Sequence, residues 1–247
     1  MKSGIVFNDV SFSYQENHFN LKNINLFIPK GAFCGITGLN GSGKTTLSLL
    51  MNGLIPQEIN GDFIGSVYID GISTRTKPVS YFAQSVGMVF QNPDFMLFNL
   101  SVKEEIEFGL KNLKIKNINQ RIEQALKQVN MIQYLDSDPQ ILSFGQRQKI
   151  CLACVLAADT PYIILDEPSA MLDYKSALHL YGILKRLNQE GKTIIIIEHD
   201  TDFLAKYADQ IIIINKGKIA DHRITKQVFA ETSRLKKIGI KIPYSFL

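Results

Sequence analysis

Short continuous apolar runs alternate with segments of helical periodicity along most of the chain. "GIVFNDVSFSY" and "NINLFIP" have the character of strands with a turn between them, and "AFCGIT" is an apolar run that stops at Gly38. In "GKTTLSLLMNGL" the residues Leu47, Leu50, Met51 and Leu54 fall on one helical face, with Gly53 near the end. That spacing predicts a helix with one buried side. "GSVYID" and "VGMVF" predict two further strands. "YIILDE" and "TIIIIEH" are apolar at every position, as parallel strands covered on both faces are. A helix between them is predicted to end near Gly191, and "QIIIINKGKIADH" predicts a strand, a turn at Lys216–Gly217 and a second strand.

The middle of the chain has a different pattern. "SVKEEIEFGLKN" opens with capping-box spacing, Ser101 followed by Glu104. "INQRIEQALKQVNMI" places Ile118, Ile122, Ala125, Leu126 and Val129 on one face. No strand pattern interrupts residues 95–142, which predicts an inserted helical subdomain. The fold class is therefore α/β, a mixed sheet flanked by helices. Residues 1–94 and 143–230 form its core, 95–142 the helical insertion, and 231–247 a short C-terminal tail. Within "DFMLF", Leu97 and Phe98 are expected in the core, and Phe95 or Met96 at a surface groove.

Composition adds exclusions. With 247 residues, 45% hydrophobic and 20% charged, the chain has ample material for one large domain with a lobe. The net charge of +4, from 27 basic and 23 acidic residues, is too small to imply a nucleic-acid partner. The N-terminal "MKSGIVFNDV" lacks the apolar segment of a signal peptide. The longest apolar runs fall well short of the ~20 residues that span a bilayer. The chain is thus expected not to cross a membrane, while remaining able to sit on a protein that does. Three cysteines fit a reducing compartment. Cys151 and Cys154 form C-x-x-C without a second pair, inside a helical apolar run, and are expected to be small buried side chains.

The chemistry is carried by "GLNGSGKTT", which fits G-x-x-x-x-G-K-[ST] through Gly38, Gly43, Lys44 and Thr45. It follows a predicted strand and opens a predicted helix, as a P-loop must. Its glycines let backbone N–H groups curl around phosphate oxygens, and the helix dipole adds positive potential there. Lys44 supplies a point charge for the outer phosphates, and Thr45 offers a hydroxyl to Mg²⁺. "YIILDEP" ends an apolar strand with Asp166 and Glu167: one carboxylate to hold Mg²⁺, the next to orient and deprotonate a water. "IIIIEHD" ends another strand with Glu198, His199 and Asp200, at the same edge of a parallel sheet. "LSFGQRQK" gives Ser143 and Gln146 capping-box spacing, a helix start whose free N–H donors point outward.

In this order the segments resemble the nucleotide-binding subunit of an ATP-binding-cassette (ABC) transporter, over about residues 4–230. "FSY" resembles the adenine-stacking loop, carried by Tyr14; "VFQNPD" the Q-loop, with Gln91; "LSFGQ" the signature LSGGQ; "SAMLD" the D-loop, with Asp173; and "EHD" the switch, with His199. The resemblance implies ATP held by Tyr14, Gly38, Asn40, Gly41, Ser42, Gly43, Lys44, Thr45 and Thr46. It implies Mg²⁺ at Thr45, Gln91 and Asp166, and hydrolysis through Glu167, His199, Gln91 and Lys44. It further implies a second cassette, a copy or a paralogue, facing the signature residues Ser143, Phe144, Gly145 and Gln146. "FQNPDFMLFNLSVKEEIEFGLKNL" is similar to the energy-coupling-factor (ECF) group, whose ATPases power micronutrient importers for vitamins and for cobalt or nickel. Those work with a transmembrane coupling subunit and a small substrate-binding membrane protein, at the cytoplasmic face of the cell membrane. Three departures stand out. Phe144 replaces the first signature Gly, Phe95-Met96 replace Asp-Gln, and "LKKIGIKIP" resembles only the start of that group's C-terminal extension. Other readings within reach are the ATPase of another ABC importer or exporter, a non-transport ABC ATPase, and a module that binds ATP without hydrolysing it. Glu167 and His199 together argue against the last.

Overall fold

The computed structural model describes residues 3–15 and 19–247. The turn expected between the first two strands lies partly outside them, as do the first two residues of the N-terminal segment. In chain order the strands are β1 (Gly4–Ser13), β2 (Phe19–Pro29), β3 (Phe33–Thr37), β4 (Asp62–Ile69), β5 (Ile72–Ser73), β6 (Val86–Val89), β7 (Tyr162–Asp166), β8 (Thr193–Ile197), β9 (Gln210–Asn215) and β10 (Lys218–Ile224). The helices are α1 (Lys44–Met51), α2 (Leu54–Gln57), α3 (Val79–Phe82), α4 (Val102–Asn112), α5 (Ile118–Gln128), α6 (Phe144–Ala158), α7 (Tyr174–Gln189), α8 (Thr201–Tyr207), α9 (Thr225–Ala230) and α10 (Thr232–Ile238).

The strands form two sheets. One is antiparallel, in the order β2-β1-β4-β5; the other runs β10-β9-β3-β8-β7-β6. In the second, β9, β3, β8, β7 and β6 are parallel, and β10 closes the edge antiparallel to β9. Its isoleucine runs explain themselves by alternation. Ile194 and Ile196 of β8 join a core beneath α4–α8, whereas Ile195 and Ile197 join a second core around α1 and the antiparallel sheet. β9 divides in the same way, Ile211 and Ile213 against Ile212 and Ile214. Successive side chains of a strand point to opposite faces, so a strand covered on both faces has no polar position to spare.

The inserted helices α4 and α5 pack on α6, which also lies along β6. The approach to the sheet is close because β6 has glycine there: a Cβ on Gly87 would come within 2.2 Å of Val155 Cγ1. Thus α6 belongs to both the lobe and the core, and physical continuity runs through residue 143. Cys151 is buried and Cys154 partly buried, both as free thiols.

Leu97 is buried, as expected, but Phe98 is 64% exposed, against expectation. The reason is the buried Glu105 carboxylate, whose Oε2 accepts the amides of Phe98 (2.8 Å) and Asn99 (2.8 Å). The chain wraps over that anion, leaving the Phe98 ring outside, edge-on to Phe108 at 5.1 Å. Phe95 is 80% exposed and Met96 partly buried.

The tail returns to the core. Gly239 closes α10 in the left-handed region, and a Cβ there would lie 3.4 Å from Leu39 Cδ2 of the P-loop. Lys241 Nζ donates to Asp202 Oδ2 (2.6 Å), and the Tyr244 amide to Asp202 Oδ1 (2.6 Å). Among the described residues, no helix is long and apolar enough to cross a membrane.

Candidate active site

The functional segments leave the same edge of the parallel sheet. β3 ends at Thr37 before the P-loop, β7 at Asp166 before Glu167, β8 at Ile197 before Glu198-His199, and β6 at Val89 before Gln91. The ladder aligns them: Ile36 pairs with Ile197, Asp166 with Ile197, and Val89 with Leu165. The site is therefore assembled by strand register, on the side where such sheets bind ligands.

The P-loop needs its glycines for close approach. A Cβ on Gly38 would sit 2.2 Å from Ile214 O, and one on Gly43 (φ 106°) would sit 2.7 Å from Leu21 Cδ2. Gly43 caps α1, whose first residues Lys44, Thr45 and Thr46 present their N–H groups at a positive helix end. Lys44 Nζ donates to Gly38 O (3.0 Å) and Leu39 O (3.1 Å), so the amine is folded over its own loop. Burial holds its pKa below the usual lysine value, against the opposing pull of Glu167 and Asp166. Ser42 Oγ is buried beside Gly38, without a hydrogen-bond partner among the described residues, and Ser42 is not among the residues lining the pocket that Lys44 and Thr45 line.

Thr45 Oγ1 donates to Asp166 Oδ2 at 2.9 Å. Burial raises the Asp166 carboxyl above its usual range, and the Thr45 hydrogen bond partly offsets this. Glu167 is held on both oxygens: His199 Nε2 donates to Oε1 (2.9 Å) and Gln91 Nε2 to Oε2 (2.9 Å). Its backbone lies in the left-handed region at φ 49°, anchored by its amide to Ile197 O (3.0 Å). A residue with a Cβ adopts that conformation at a cost of about 1–3 kcal/mol. Asn40, Gly41, Gly43, Lys44, Thr45, Thr46, Gln91 and Glu167 share one pocket with Asn20.

The donor set fits a hard cation. Thr45 Oγ1, the Asp166 carboxylate and the Gln91 side-chain carbonyl are the hard oxygen donors such an ion would take, with Thr45 Oγ1 on Asp166 Oδ2 and Gln91 Nε2, not its oxygen, on Glu167. Mg²⁺ prefers few protein ligands, with water and substrate phosphates completing its octahedron. Among the described residues there is no group of three or more His, Cys, Asp or Glu that could hold a metal ion.

Tyr14 is 42% exposed, with its hydroxyl 3.2 Å from Thr46 Oγ1 and its ring edge-on to Phe12 at 4.9 Å. The signature residues lie apart from this pocket. Ser143 and Gln146 form both halves of a capping box at α6, Gln146 Nε2 donates to Tyr134 (2.8 Å), and Phe144 is half-buried. A Cβ on Gly145 would stand 3.0 Å from Leu172, so signature and D-loop of one chain are neighbours. Asp173 caps α7, accepting the Ser176 amide at 2.9 Å.

Comparison with known proteins gives the same assignment. The family model for ABC transporters matches residues 21–170, more than half of the chain. The chain belongs to the ABC transporter ATP-binding family. The cassette is 44% identical over 239 residues to a Pyrococcus horikoshii protein named provisionally as an ABC transporter ATP-binding protein, covering 95% of this chain and 84% of that one. It is 40% identical to the energy-coupling factor transporter ATP-binding protein EcfA1 of Caldanaerobacter subterraneus, covering 95% and 86%. A solved structure of cbiO1 from Clostridium perfringens, part of the complex cbiONQ, superposes with TM-score 0.83 at 31% identity, covering 97% of this chain and 95% of that one. The cassette is accordingly an ATP-binding, ATP-hydrolysing ABC protein of a family whose members dimerise, as in a solved dimer with ADP and Pi (TM-score 0.80, 27% identity, 90% and 98% covered).

Two contributors to the site escaped the sequence reading. Asn20 lines the pocket from the start of β2, and its Oδ1 accepts the Tyr14 amide at 3.3 Å. Ser169 hydrogen-bonds Glu198 behind the switch. Asn20 stands in no motif, Ser169 opens the "SAMLD" segment but its contact with Glu198 does not show in that motif, and both depend on strand pairing for their place.

Proposed function

We propose that this cassette is the ATPase of an ECF-type importer for a vitamin or a transition-metal ion. The observation that carries the catalytic reading is the Glu167 carboxylate, held between His199 and Gln91 at 2.9 Å each. In that clamp one face of the carboxylate remains for a water beside the γ-phosphate. Glu167 orients the water and takes its proton; His199 fixes Glu167; Gln91 links the site to the helical lobe. The P-loop amides and Lys44 hold the outer phosphates and stabilise charge that develops on them. Thr45, Asp166 and Gln91 would hold Mg²⁺, which when bound neutralises phosphate charge. Tyr14 supports the adenine. Ser143, the Gly145 amide and the positive end of α6 face outward, suited to the γ-phosphate held by a second cassette. Phe144 contributes no phosphate ligand in this scheme, so the signature stays active.

Coupling to the membrane falls to the lobe beside Gln91. Phe95 (80%), Phe98 (64%), Leu100 (82%) and Ile141 (77%) are exposed there, an apolar surface suited to a transmembrane coupling subunit. In this reading the cassette is a peripheral subunit at the cytoplasmic face of the cell membrane, with a substrate-binding membrane protein as third component. The test is Glu167→Gln. Phosphate release should fall by ~10²–10⁴ while ATP binding persists. Near-wild-type release would remove Glu167 from the role and the mechanism with it.

A further inference from the structure

Glu198 is a buried acid without a task in the scheme above. It is 3% exposed, at the end of β8. A carboxylate taken out of water costs several kcal/mol unless its oxygens are satisfied, and an apolar residue would fill the space more cheaply. Burial pushes the Glu198 carboxyl above its usual range, opposed by hydrogen bonds from Ser169 and from the Asp200 and His199 amides. Tyr181, wholly buried and stacked on Phe203 at 4.5 Å, faces it from α7.

The two oxygens hold different loops. Oε1 accepts from the Ser169 hydroxyl (2.5 Å) and amide (3.2 Å), and Oε2 accepts the His199 amide at 3.1 Å. Ser169 starts the turn leading to Asp173, with the Leu172 amide on Ser169 O at 3.0 Å and the Ala170 amide on Glu167 O at 3.3 Å. The contacts therefore close a ring. Glu167 runs by two peptide links to Ser169, Ser169 binds Glu198, Glu198 binds and adjoins His199, and His199 Nε2 returns to Glu167 Oε1.

We propose that Glu198 is a positioning residue that fixes the His199–Glu167 contact by tying the D-loop to the switch. The proposal rests on the roles given above to Glu167 and His199. Through Ser169, displacement of the segment ending at Asp173 moves the anchor of His199. Glu198 thereby relays the state of the D-loop to the hydrolytic carboxylate without touching nucleotide.

Glu198→Gln tests this with little change of volume. The amide keeps one acceptor oxygen and sets an NH₂ against a backbone donor, either at Ser169 or at His199. Single-turnover phosphate release and nucleotide affinity are measured on the full-length chain, in the wild-type and His199→Ala backgrounds. The expected result is a loss of about 10–100-fold in rate, as for a misplaced catalytic group, with ATP affinity unchanged. In the His199→Ala background the same substitution should leave the residual rate unchanged, because its effect runs through His199. Ser169→Ala, which removes only a hydroxyl, should slow the wild type in the same direction and guards against misfolding of Glu198→Gln. A wild-type rate in both Glu198→Gln and Ser169→Ala, or equal losses in the two backgrounds, overturns the proposal alone. A wild-type rate in His199→Ala overturns it together with the reading of the site.

Discussion

Gly87→Ala sets a methyl group where β6 meets α6. Built on the existing backbone, its Cβ would lie 2.2 Å from Val155 Cγ1, 2.9 Å from Thr160 Oγ1 and 3.2 Å from Val155 Cβ. Ordinary carbon contacts are ~3.5–4.0 Å, so the strand and helix must part by about 1.5 Å. Neither neighbour yields easily. Val155 is β-branched with restricted χ1, and Thr160 is buried with its hydroxyl donated to Tyr162 O at 3.2 Å. Overpacking of this kind costs about 1–3 kcal/mol. Alanine recovers about 0.4–1 kcal/mol by restricting the unfolded chain. Taking the middle of each range, the net loss is about 1.3 kcal/mol, or ~3–5 °C in Tm for a chain of this size. Since α6 begins at the signature, ATP hydrolysis by the cassette dimer should also fall while ATP binding to the single chain holds. Urea unfolding of Gly87→Ala, Val155→Ala and the double variant measures the packing directly. The double variant should be more stable than the sum of the two losses predicts. Strictly additive losses, or a Gly87→Ala protein as stable as wild type, would refute the close seating of α6 on β6.

Three further outcomes follow from the site and its supports. Tyr14→Ala should weaken ATP binding by about 5–150-fold, the range of a lost base-stacking contact, and Tyr14→Phe should be tolerated; equilibrium binding of a fluorescent ATP analogue reads both. Phe95→Asp should keep nucleotide binding and lose co-purification with the membrane partner. Asp221 accepts from Arg223 Nε (2.7 Å) and pairs with Arg234 of α10 (3.2 Å). The Arg223 hydrogen bond holds its carboxyl below the usual range, against some burial. A depressed carboxyl contributes stability above its unfolded value, lost as pH falls through the folded one. Asp221→Asn should therefore lower the urea midpoint at pH 7, and the gap to wild type should close as pH drops below about 4; a gap independent of pH would contradict the charge as its cause.

How much of this was legible varies with the range of the interaction responsible. The parallel strands announced themselves because a strand buried on both faces must be apolar throughout, and the P-loop because phosphate binding restricts residues locally. Ser143 and Gln146 likewise form the capping box their spacing predicted. Phe98 misled, because its exposure is decided by Glu105, an acid that looks like ordinary helix surface until the preceding turn wraps it. The shared role of α6 was hidden in a single glycine on a strand distant in sequence. Glu198 was visible as part of "EHD", but its partner Ser169 is brought to it only by the pairing of β7 with β8.

The sheet register also bears on how the chain can change over generations. An extra residue inside β3, β7 or β8 would advance the segment behind it by about 3.3 Å and turn each later side chain to the opposite face. In β8 that would exchange the Ile194/Ile196 set for Ile195/Ile197 and carry His199 off Glu167. The surface connection around Asn60, exposed before β4, imposes no such penalty. Codon gains and losses should therefore survive between elements and be purged within these strands, so that a single-codon insertion library selected for function would trace the sheet as a set of gaps.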